Sequence, residues 1–412
     1  MDAATTTRSR VDRPAGGSPP EGRAEDTRIR PFPLAVPQAE LDALRARLLA
    51  TRWPDRETVT DTSQGPRLAK LQALVRHWAT GYDWRPTEAL LNGLGSATTV
   101  IDGLDVHFLH VRSPEPGALP LLMTHGWPGS VLEFREVIGP LTDPVAHGGS
   151  AGDAFHLVIP SLPGFGFSGQ PAGSGWDLRR TARAWTTLVH RLGYERFGAQ
   201  GGDIGAGVTE EMAALHTSSP SGLVGIHLNM AMFPPTEQEV AEATPDEQEM
   251  LAEARYYGDV LSGYAKQMAT RPQTIGYSLA DSPVGLAAWI YAMFQDVSGS
   301  RGDAEAVFSL DEMLDDVMLY WLPNAGASAA RVYWEMAQGR WSPPADVGSP
   351  LTVPTGITIM PGEYVRKSRR WAERRYTDLV HFEQVAAGGH FAVMEQPALL
   401  TEQIRATFRS LR

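Results

Sequence analysis

Two hydrophobic rhythms divide this chain. Leu41, Leu44, Leu48 and Leu49 recur at the spacing of one helix face, and Arg52-Trp53-Pro54 ends that run. A second helical pattern passes through Leu68, Leu71, Leu74, Val75 and Trp78. The text then turns strand-like. Residues 98–101 and 106–111 flank Asp102-Gly103, a dipeptide suited to a hairpin turn. Residues 119–124 form an apolar run without alternation, as expected of a central strand covered on both faces. Spans 156–161, 197–202, 223–229, 356–360 and 380–386 read as further strands, with helical stretches at 178–192, at 204–215 and from Leu399. Alternating strands and helices predict an α/β fold with a mostly parallel central sheet and helices on both faces.

One long stretch breaks the alternation. Residues 234–344 are almost entirely helical in pattern, including 247–268 and 310–336. Helices inserted between strands predict a lid over the C-terminal edge of the sheet, where open α/β sheets bind ligands. The expected organisation is a disordered tail at 1–27, an N-terminal bracing segment at 28–97, a first part of the core at 98–233, the lid at 234–344, and a second part of the core at 345–412.

Composition narrows the options. The 412 residues are 42% hydrophobic and 20% charged, ordinary for a globular protein with a large core. The net charge of −12 comes without any basic block, which argues against nucleic acid or anionic membranes as partners. No cysteine is present, so disulfides, thiolate metal sites and cysteine nucleophiles are excluded. No apolar run is long enough to span a bilayer, and the first residues lack the apolar centre of a secretory signal. The expected location is the cytoplasm.

Three short pieces carry the chemistry. Gly201-Gly202-Asp203-Ile204-Gly205 lies between a strand and a helix, the setting of a nucleophile elbow, with a carboxylate where a hydroxyl is commoner. His125-Gly126-Trp127-Pro128-Gly129-Ser130 follows an earlier strand; there the backbone N–H of Trp127 would join that of Ile204 in an oxyanion hole. Gly388-Gly389-His390-Phe391 follows the last apolar strand, a place for a catalytic base. Each piece alone has a plain structural explanation, as helix cap, turn or loop. Their joint order and strand–loop context favour catalysis.

The combination resembles the microsomal-type epoxide hydrolases, a branch of the α/β-hydrolases, over nearly the whole chain after the tail. Besides the three pieces, the resemblance rests on Thr51-Arg52-Trp53-Pro54-Asp55 and Tyr82-Asp83-Trp84-Arg85-Pro86-Thr87-Glu88, then Pro163-Gly164-Phe165-Gly166-Phe167-Ser168. In the lid it rests on Pro272-Gln273-Thr274, Asp281-Ser282-Pro283-Val284-Gly285-Leu286 and Met318-Leu319-Tyr320-Trp321. It implies an α/β-hydrolase fold and a cofactor-free, metal-free reaction of a small-molecule epoxide with water through an ester on Asp203. It also implies that Glu363, in Met360-Pro361-Gly362-Glu363, orients His390, with Glu383 as the alternative. Two lid tyrosines, Tyr264 and Tyr333, would hydrogen-bond the oxirane oxygen. Tyr257, Tyr277, Tyr291 and Tyr320 lie in the same segment, and only the resemblance selects the pair. A homodimer is compatible with the chain.

The sequence departs from the family pattern at two places. Ile204 stands where a tryptophan is frequent, and Trp321-Leu322-Pro323-Asn324 replaces a commoner Gly- and Thr-containing turn. A haloalkane dehalogenase, the nearest alternative, would need a side-chain N–H for halide that Ile204 does not have. A non-catalytic relative that kept the fold is a further alternative, disfavoured because none of the three pieces is degraded.

Overall fold

The computed structural model describes residues 26–338 and 349–412. Residues 1–25, nearly all of the expected tail, and the expected lid boundary at 344 lie outside them.

Nine strands form one sheet: β1 (Arg30–Pro31), β2 (Ser96–Ile101), β3 (Leu104–Val111), β4 (Leu119–Thr124), β5 (Phe155–Pro160), β6 (Phe197–Gly201), β7 (Leu223–Leu228), β8 (Thr355–Ile359) and β9 (Leu379–Gln384). Their order is β1-β2-β3-β5-β4-β6-β7-β8-β9, antiparallel from β1 to β5 and parallel from β5 to β9. Asp102 and Gly103 both adopt positive φ, which closes the β2–β3 hairpin as their chemistry predicts. The central strands β4 and β6 are almost wholly buried, as their unbroken apolar text requires.

The N-terminal segment contributes more than the two helices its periodicity predicts. It also supplies the edge strand β1, where Pro31 is tolerated because an edge strand need not donate on both sides. A third helix, Arg85–Gly93, starts with Pro86 in its first turn, a position whose N–H needs no partner. Much of the segment's contact is with the helical insertion. Asp315 accepts hydrogen bonds from the Tyr82 and Thr87 hydroxyls, each at 2.7 Å, and from Arg135 at 2.8 Å. One nearly buried carboxylate thus ties N-terminal segment, insertion and core together.

Between β7 and β8 the described residues are helices and turns with no strand. Capping boxes at Thr236/Glu239, Thr244/Glu247 and Ser309/Glu312 start three of the helices. The helical text at 247–268 is divided into Pro245–Tyr256 and Gly263–Thr270 by a wide turn at Tyr257–Leu261. That at 310–336 is divided into Leu310–Trp321 and Gly326–Ala337, because Pro323 has no N–H and Asn324 takes a left-handed φ of 55°. The insertion is latched to the core where the Tyr320 hydroxyl donates to the Gly129 carbonyl at 2.8 Å and Ser328 donates to the Gly164 carbonyl at 2.5 Å. Among the described residues, no helix is long and apolar enough to cross a membrane.

Candidate active site

The turn from β6 into helix Asp203–Ser218 is tight because neighbouring backbones leave no room for side chains. A Cβ on Gly205 would lie 1.9 Å from the Thr124 carbonyl oxygen, so the helix can start against β4 only with glycine there. Asp203 itself adopts φ 49°, a strained conformation for a residue with a side chain. Its carboxylate accepts the Trp127 N–H at 2.8 Å and is also stabilised by the Ile204 N–H. The two expected oxyanion donors therefore both reach the elbow side chain. Burial pushes the Asp203 pKa above the usual carboxylate range, against the opposing pull of His390 and the two N–H groups.

His390 sits with Nε2 3.7 Å from one Asp203 oxygen and Nδ1 2.7 Å from Glu363. The second Glu363 oxygen accepts the Val365 N–H at 2.9 Å, which fixes the carboxylate plane. Burial disfavours a charge on His390, but the charge and hydrogen bond of Glu363, with the charges of Asp203 and Glu133, outweigh it and raise its pKa to about 9. Burial also works against ionised Glu363, and His390 more than offsets it, holding that carboxyl below its ordinary range. Glu383, the alternative acid, is exposed on β9. The end of β7 bears Asn229, which accepts from the Gln200 amide at 2.9 Å.

Of the seven tyrosines in the insertion, Tyr264 and Tyr333 gather at Trp127. Tyr264 stacks on its ring at 4.9 Å and Tyr333 meets it edge-on at 6.0 Å. Burial pushes both phenols well above their ordinary range, so they remain protonated donors at neutral pH. The Tyr333 hydroxyl is buried near Tyr264 without a well-formed hydrogen bond. Tyr291 and Tyr320 are engaged with Glu305 and Gly129, and Tyr277 points outward. Two neighbours of these groups were not selected from the sequence. The Tyr257 hydroxyl lies 2.8 Å from that of Tyr264, and Glu133 lines the cavity shared by Asp203 and His390. Glu133 lies three residues beyond a singled-out motif, but a glutamate in a helical turn reads as solvated until the packing over it is known.

A carboxylate raised on such an elbow, in a sheet of this order and beneath a helical insertion, makes the protein an α/β-hydrolase. Comparison with known proteins takes the class further. Residues 29–134 match the family described as "Epoxide hydrolase N terminus", and residues 120–325 match "alpha/beta hydrolase fold". The chain is 52% identical to an epoxide hydrolase-like protein of Stigmatella aurantiaca, over 93% of this chain and 86% of that one. It is 35% identical to epoxide hydrolase 1 of Sus scrofa, over 93% and 89%. Among solved structures, juvenile hormone epoxide hydrolase of Bombyx mori superposes with a TM-score of 0.84 at 26% identity, over 94% and 96% of the two chains. Aspergillus niger epoxide hydrolase gives 0.82 at 28%, over 94% and 98%. The chain belongs to the epoxide hydrolase family, in its microsomal-type branch.

Proposed function

We propose that this epoxide hydrolase opens its substrate in two steps, through a covalent ester on Asp203. The observation that carries the reading is the placement of His390 between Glu363 and Asp203, with protonated tyrosine hydroxyls close by. In the first step an Asp203 oxygen attacks a ring carbon and the ring C–O bond breaks. Tyr264 or Tyr333 gives its proton to the departing alkoxide. A serine at the elbow would leave a stable ether, whereas a carboxylate leaves an ester that water can cleave.

In the second step water attacks the ester carbonyl carbon and gives a proton to His390. The N–H groups of Trp127 and Ile204 stabilise the tetrahedral oxyanion, a contribution commonly worth about a hundredfold or more in rate per donor. Collapse breaks the bond to the substrate oxygen, which takes the remaining proton of the added water, and restores the Asp203 carboxylate and a vicinal diol. Resting His390 carries a proton, in part because Asp203 is charged. Once Asp203 is esterified that influence is gone, and the released proton returns to the tyrosine that protonated the alkoxide. His390 is then free to act as base, its tautomer held by Glu363.

The test is His390→Gln, mixed with a panel of epoxides and haloalkanes and followed by intact-protein mass. The expected result is a mass gain equal to the whole epoxide, absent when Asp203→Asn is added. An adduct formed only from haloalkanes, with loss of halide, would make the protein a dehalogenase and remove the tyrosines from the mechanism.

A further inference from the structure

The cavity that Asp203 and His390 line together is small, about 20 Å³. A substrate pocket needs a few hundred cubic ångströms. One water molecule needs roughly 10–15 Å³ and two to four polar partners. The space therefore fits a single water and not an organic substrate. Besides Asp203 and His390, its ionisable wall is Glu133, while Phe134 and Val393 close it with apolar surface.

Glu133 is held in that wall by its local structure. Ser130 caps the short helical turn Val131–Phe134, which places Glu133 one turn after Gly129. A Cβ on Gly129 would fall 1.2 Å from a Glu133 carboxyl oxygen and 2.3 Å from its carboxyl carbon. The carboxyl thus occupies the space that any side chain at position 129 would take. The Tyr320 hydroxyl holds the Gly129 carbonyl. Among the described residues no protein donor hydrogen-bonds the Glu133 carboxyl, although it lines a cavity with two ionisable groups. Such a group is costly to bury unless something small and polar meets it.

We propose that Glu133 holds the hydrolytic water, accepting one of its hydrogens while His390 Nε2 takes the other. A lone pair of the water then points at the Asp203 ester carbon. The inference rests on the two-step reading above. No new proton transfer is required: the proton still passes from water to His390, and Glu133 only orients. Burial and the neighbouring Asp316 push the Glu133 pKa well up. Ionised or protonated, the carboxyl retains an oxygen able to accept from water.

The experiment separates the two chemical steps. Wild type, Glu133→Leu and Glu133→Gln are mixed with styrene oxide in a single turnover, quenched at intervals and weighed intact. Glu133→Leu should form the Asp203 ester within about threefold of the wild-type rate and hydrolyse it about a hundredfold more slowly, the loss expected for a reactant misplaced by an ångström. Glu133→Gln keeps a carbonyl oxygen and should recover hydrolysis to within about tenfold of wild type. Should the leucine variant fail to fold, Glu133→Asp serves in its place: its carboxyl is withdrawn by one methylene, and only ester hydrolysis should slow.

Wild-type hydrolysis in the leucine variant would overturn the proposal. So would an equal slowing of both steps, which marks a purely structural role. If His390→Gln traps no Asp203 ester, the two-step reading falls and the proposal with it. If that variant traps the ester while Glu133→Leu hydrolyses normally, only the proposal falls.

Discussion

Replacing Gly126 by alanine tests whether the position of the Asp203 carboxylate controls the rate. The new Cβ would lie 2.4 Å from both the Cβ and one carboxylate oxygen of Asp203. Ordinary contact between such atoms is about 3.5–4.0 Å, so the overlap is more than an ångström. Asp203 cannot yield through its backbone, which the tight turn into helix Asp203–Ser218 holds at positive φ. Its carboxyl must swing away, and the hydrogen bond from the Trp127 N–H, 2.8 Å in the native site, stretches or breaks. A misplacement of an ångström costs about a hundredfold in rate, and core overpacking costs about 1–3 kcal/mol in stability. Gly126→Ala should therefore remain folded, with a melting temperature lowered by about 1–3 °C, and form the ester about a hundredfold more slowly. Single-turnover mass analysis reads the ester and calorimetry reads the stability. Ester formation within threefold of wild type, in a folded variant, would refute the placement of Gly126 against a reacting carboxylate.

Four further outcomes follow from the same geometry. Tyr264→Phe and Tyr333→Phe should each slow ester formation about tenfold and together more than a hundredfold, since either hydroxyl can protonate the alkoxide; a double variant no slower than the singles would exclude the pair. Glu363→Gln removes the main partner that raises the His390 pKa and should slow ester hydrolysis by roughly 10³–10⁴-fold, so that the ester accumulates on mass analysis. Because His390 has a folded pKa of about 9 against an ordinary value of 6.5, its protonation stabilises the fold fully below pH 6.5, and that contribution is lost as pH rises through 9. Wild type should lose up to about 3 kcal/mol more than His390→Gln between those limits in denaturant titrations, and parallel curves would contradict the shift. Asp315→Ala leaves Arg135 without its nearest partner and two hydroxyls without their acceptor, and should cost about 3 kcal/mol by calorimetry; a loss below about 1 would show that the three-way junction contributes little.

Local patterns in the chain were enough to place the strands from β2 to β9, because an unbroken apolar run between turn residues has few other uses. They also singled out Asp203, His390 and the Trp127 loop as candidates, since a glycine-flanked polar residue beside a strand-to-helix turn has a local signature. The edge strand β1 has none, being two residues long and defined only by its partner on β2. The choice between Glu363 and Glu383 was spatial: both follow apolar text, but one lies 2.7 Å from His390 and the other faces outward. The same holds for the tyrosines, seven of which lie in the insertion while three converge near Trp127. Glu133 was hidden for a related reason, since it lines an inner cavity rather than facing solvent, a matter of packing and not of its own spacing. Periodicity along a chain reports which face of an element is buried. What that face is buried against depends on contacts between distant residues, such as Trp127 with Asp203 or Tyr82 with Asp315, and only the packed tertiary structure decides those.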